Sequence, residues 1–61
     1  MKYGELAKKL KKSGCKILRQ GANHEIWYNP ANGRQTEVER HKGKEIATGT
    51  VHAILKDLGL K

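Results

Sequence analysis

At 61 residues the chain has room for a single domain (residues 1–61) and no second core; a chain this short buries only about 60% of its unfolded surface. Thirteen Lys and Arg against six Asp and Glu give a formal charge of +7, which attracts phosphate-rich ligands through counterion release and which an acidic protein would also exploit. One cysteine and three scattered histidines exclude a disulfide framework and lack the paired spacing of a zinc site, so neither a metal nor a cofactor is expected.

The chain opens on Met1-Lys2-Tyr3-Gly4, without an apolar signal core. No apolar run approaches the roughly 20 residues that cross a bilayer, which points to the cytoplasm and away from a membrane. Tyr3, Leu6, Ala7 and Leu10 then follow the i, i+3, i+4, i+7 spacing of a helix with one buried stripe. Lys8, Lys9, Lys11 and Lys12 fill the remaining surface, and Gly14 is a natural left-handed stop, so the first helix is predicted over about residues 3–13. Cys15 to Gln20, carrying Ile17 and Leu18, reads as a strand, with Cys15 a small packing residue.

Gln20-Gly21-Ala22-Asn23 supplies a turn, and His24 to Asn29 reads as a second strand on the strength of Ile26, Trp27 and Tyr28. Asn29-Pro30-Ala31-Asn32-Gly33 is the strongest turn signal in the chain. From Arg34 to Arg40 the residues alternate, with Thr36 and Val38 on one face and Gln35, Glu37 and Glu39 on the other, as in a half-solvated strand. A basic loop, His41-Lys42-Gly43-Lys44, leads to Thr48-Gly49-Thr50, which offers a helix cap. Val51, Ile54, Leu55 and Leu58 restore the helical spacing until Gly59. The order is α-β-β-β-α, an α+β chain. Its economical packing puts both helices on one face of a three-stranded antiparallel sheet and leaves the other face open.

His24, at the first residue of the second strand, is the candidate for chemistry. A histidine there is commonly a capping or surface residue. As a general base, a neutral imidazole takes the proton from a ribose 2′-hydroxyl while that oxygen attacks the adjacent phosphorus. Nearby cations stabilise the developing charge without a metal. His24, Ile26 and Tyr28 share one face of the strand, and Glu25 and Trp27 share the other, so Glu25 is a poor dyad partner. Ile26 is taken as the core anchor, which places Trp27 on the open face beside Leu18 as a stacking platform for unpaired bases. Lys8, Lys12, Arg40, Lys42 and Lys44 are the candidate RNA-contacting cations.

Taken together, the basic N-terminal helix, Gly21-Ala22-Asn23-His24-Glu25-Ile26-Trp27, Asn29-Pro30, Val38-Glu39-Arg40-His41, and Gly49-Thr50 opening the last helix resemble the HicA-like toxin family. The resemblance covers nearly the whole chain. It implies a double-stranded-RNA-binding-like fold, a type II toxin-antitoxin role, and endoribonuclease cleavage of messenger RNA dependent on a motif histidine that corresponds to His24. It also implies neutralisation by a HicB-like antitoxin, expected to cover His24. Two positions depart from the family pattern: Ala22 stands where Ser is usual, and Glu39 where Pro commonly precedes the Arg-His pair. The alternative reading is a non-catalytic RNA-binding module on the same fold.

Overall fold

The computed structural model describes residues 1–40 and 44–60. The elements follow the expected order: α1 (Tyr3–Lys12), β1 (Lys16–Gln20), β2 (His24–Asn29), β3 (Arg34–Glu39) and α2 (Thr48–Asp57). The sheet is antiparallel with β2 in the centre.

Both helices end in the same device. Gly14 and Gly59 adopt positive φ of 92° and 72°. After α1, the Gly14 N–H donates to the Lys11 carbonyl and the Cys15 N–H to the Leu10 carbonyl, at 3.0 and 2.9 Å. After α2, Gly59 and Leu60 repeat the pattern onto Lys56 and Leu55. These are paired Schellman bonds, which satisfy carbonyls that a helix end leaves orphaned. The start of α2 differs from expectation. Its cap position is Ala47, which makes no side-chain capping bond, and Thr48 is already helical.

The core joins Leu6 and Leu10 of α1, Val51, Ile54, Leu55 and Leu58 from the α2 region, and Trp27 and Val38 of the sheet, with Cys15 and Ile46 at its margins. Both helices therefore cover the same face. Trp27 is fully buried here, which corrects its expected place on the open face. Along β2, Glu25, Trp27 and Asn29 point inward, while His24, Ile26 and Tyr28 point outward. The grouping by parity holds, but its facing is reversed: the indole buries far more apolar area than an isoleucine, and its N–H finds a buried acceptor.

A bulge changes the facing of β1 as well. Ile17 pairs with Trp27, yet Arg19, rather than Leu18, pairs with Ile26, and Gln20 pairs with Glu25. The extra residue, Leu18, is 56% exposed. Plain alternation from the buried Cys15 would turn Arg19 inward; the bulge re-aims it onto the outer face beside Ile26.

The turn between β2 and β3 is docked on the end of α2. Asn29 and Asn32 side-chain amides both donate to the Leu58 carbonyl, at 2.8 and 3.1 Å. The 44–46 segment is tied to the chain start by a Lys2–Glu45 bridge and by the Ile46 N–H donating to the Met1 carbonyl at 2.8 Å.

Replacing Trp27 by Ala removes about 3–5 kcal/mol, comparable to the whole stability of so small a domain. We expect Trp27→Ala to be largely unfolded by circular dichroism at room temperature, and a cooperative melt close to that of the parent would contradict this packing role.

Candidate active site

The loop of residues 21–23 joins β1 to β2, and across its base the Gly21 N–H donates to the His24 carbonyl at 2.7 Å. Short hairpin loops favour turns with positive φ. No non-glycine residue among those described has a positive φ, so this loop is held by another means. Arg40, just past β3, supplies it. Its Nη2 donates to the carbonyls of Gly21 and Ala22, at 2.5 and 3.0 Å, and its backbone N–H donates to the Asn23 carbonyl at 3.0 Å. Three consecutive carbonyls of the loop thus converge on one residue.

The latched loop delivers His24 to the outer face of the sheet with 47% of its side chain exposed, enough for a ligand to reach the ring. The imidazole folds back across Gly21. A Cβ at that position would lie 3.0 Å from Nε2 and 3.2 Å from Cε1, so a glycine leaves the ring its place. On the other side, Nε2 is 3.6 Å from Oε2 of Glu37, which is exposed on β3. That carboxylate puts a negative charge beside the ring when it takes up a proton.

Glu25, the next residue, lies on the opposite face and is buried. Tyr3 donates its hydroxyl to Oε1, Trp27 Nε1 donates to the same oxygen at 3.0 Å, and Gln20 Nε2 donates to Oε2 at 3.3 Å. This polar knot joins α1 to β1 and β2 directly behind the histidine. Burial, then the hydrogen bond and charge of Glu25, push the Tyr3 hydroxyl up to about 12 against a smaller opposing pull from Arg40. Burial likewise raises the Cys15 thiol.

The other predicted contacts are dispersed. Lys8 and Lys12 are exposed on α1, in the layer behind the sheet from His24. Trp27 lies in the core, so its face cannot receive a base. Arg40 is engaged with the loop, Lys44 is exposed just before the Glu45 bridge, and Lys42 lies outside the described residues. The cations that share the outer face with His24 are instead Lys16 and Arg19, paired with Tyr28 and Ile26. Sequence reading passed over both, and over Glu37 as the neighbour of His24. Alternation along β3 was the available signal for Glu37, since it sets that residue on the solvated face; nothing local signals the bulge that turns Arg19. Among the described residues no group of three His, Cys, Asp or Glu is placed to hold a metal ion, and no helix is long and apolar enough to cross a membrane.

The structure is thus a basic α-β-β-β-α fold that presents one histidine from a latched hairpin. The model of the HicA toxin family, described as the HicA toxin of bacterial toxin-antitoxin systems, matches residues 3–60, and the chain belongs to that family. An antitoxin is accordingly its class of partner. Comparison with curated proteins and with solved structures gave no match.

Two outcomes follow from the geometry. Arg40→Ala removes the latch and is expected to lower stability by about 1–3 kcal/mol, with faster hydrogen exchange at the loop amides; unchanged exchange there would argue against it. Tyr3 has a second, pH-dependent signature. Its folded pKa lies above the ordinary 10, so its contribution is complete below about pH 10 and is lost as pH rises toward 12. Tyr3→Phe should therefore unfold with a smaller alkaline loss than the parent when denaturant melts at about pH 9 and about pH 11 are compared.

Proposed function

We propose that this HicA toxin is an endoribonuclease that cleaves messenger RNA, with His24 as its acid-base residue and a HicB-like antitoxin as its neutralising partner. The observation that carries this reading is the exposed imidazole held by a latched loop on a strongly basic chain. His24 takes the proton of a ribose 2′-hydroxyl as that oxygen bonds to the adjacent phosphorus. The bond from phosphorus to the 5′-oxygen breaks, and the departing oxygen takes a proton from solvent water. The products are a 2′,3′-cyclic phosphate and a 5′-hydroxyl.

The roles of the surrounding residues follow from their positions. Arg40 and Gly21 position the ring, and Glu37 offsets the imidazolium charge that forms during proton transfer. Lys8, Lys12 and Lys44 contribute to the positive field that draws the polyanion in. Ala22 brings no hydroxyl to the loop, so substrate orientation falls to the other groups on this face. A single positioned base contributes about 10²–10⁴-fold, which makes slow turnover the expectation. The antitoxin inhibits by covering His24.

The test compares RNA cleavage by the parent and by His24→Ala, with folding matched by circular dichroism. Cleavage should fall by about 10²–10⁴-fold, and growth arrest on expression should be lost with it. Equal cleavage by the two folded proteins would rule out the role given to His24. Tight, salt-sensitive RNA binding by the parent without any strand scission would favour a non-catalytic binding module.

A further inference from the structure

The outer face of the sheet is divided by charge. Lys16 and Arg19 stand on the β1 side, Glu37 and Glu39 on the β3 side, and His24, Ile26 and Tyr28 run down the centre. Leu18, Arg19, Ile26 and Gln35 line a shallow depression beside this central row. Neither helix covers this face, since both pack against the inward side of β2 and β3.

We propose that this face is a track for single-stranded RNA, with Tyr28 as its base-stacking platform and Arg19 and Lys16 as its phosphate contacts. The proposal rests on the reading of the protein as an RNA-cleaving toxin and names how that substrate lies. A linkage brought to His24 must place its flanking nucleotides on the same face. Ile26 and Tyr28 project from β2 about 7 and about 13 Å beyond His24, at one and two repeats of the strand. An aromatic face at that distance can receive an unpaired base, and stacking of this kind tolerates any sequence.

Charge sets the course of the strand. The exposed carboxylate of Glu37 disfavours phosphates on the β3 side, leaving the cationic β1 side for the backbone. The Leu18 bulge is what makes that side cationic, because it turns Arg19 outward opposite Ile26. A duplex is a poor fit: its bases are already stacked on one another, and recognition of double-stranded RNA relies on contacts across its minor grooves.

The test uses the full chain carrying His24→Ala, so that RNA survives, and measures binding of short unpaired oligoadenylate against a duplex of the same length. Adding Tyr28→Ala should weaken oligoadenylate binding about tenfold, whereas Tyr28→Phe should retain it. Arg19→Ala should reduce the slope of log affinity against log salt by about 0.7, the value for one phosphate contact on a single strand. Thermal melts confirm that each variant is folded, and the exposed or half-buried positions of both residues favour this. Parental affinity and salt slope in folded Tyr28→Ala and Arg19→Ala overturn the proposal. So does preferential binding of the duplex, or a loss confined to antitoxin binding, which would assign the face to the protein partner. The two readings fail separately: histidine-independent cleavage removes the role of His24 and leaves the binding result intact, while normal binding by the Tyr28 and Arg19 variants removes the track and leaves cleavage intact.

Discussion

The facing of β2 is the constraint on which the rest of the molecule depends. It is the central strand, so both its neighbours take their register from it, and it has only two ways to turn. Burial of the Trp27 indole selects one of them. A fully buried tryptophan needs an acceptor for its N–H, and Glu25, two residues earlier on the same face, provides it. The carboxylate is in turn held by Tyr3 and Gln20, so that no buried side-chain polar atom among the described residues lacks a partner. With that knot made, His24, Ile26 and Tyr28 have no choice but the outer face.

Placement of the histidine then requires more than strand alternation. The hairpin that carries it lacks the backbone geometry such short loops prefer, and a residue from the far end of β3 compensates. Arg40 is suited to this because its planar guanidinium presents several N–H groups in a fixed fork. The same residue thereby couples the first hairpin to the end of the third strand. Gly21 completes the arrangement by omission, since any side chain there would compete with the imidazole for space. Position and accessibility of the ring thus come from two separated stretches of sequence, the hairpin around Gly21 and the end of β3 at Arg40.

Local pattern was enough to reveal the element order, both helices, the turn at Asn29–Gly33 and the exposed histidine. It was not enough to orient β2, because each parity class of that strand mixes apolar and polar residues. Glu25 and Asn29 look like solvent-facing residues, yet both are buried with partners far along the chain, Tyr3 and the Leu58 carbonyl. Their satisfaction is a tertiary fact. The same holds for the bulge at Leu18, which breaks alternation without any glycine or proline to announce it. Arg40 was legible as a cation near the site, but its use as a loop latch depends on three carbonyls that no side-chain pattern encodes.

The sole thiol of the chain lies in the Schellman turn behind α1, sealed in the core and shifted toward its protonated form. Thiolate is the reactive species toward alkylating reagents, so this atom is withdrawn from such chemistry while the fold is intact. The native protein consequently serves as a ready-made blank for site-directed labelling. A cysteine introduced at an exposed position such as Gln35 would carry a fluorophore or spin label next to the depression on the sheet, with no need to remove the natural one.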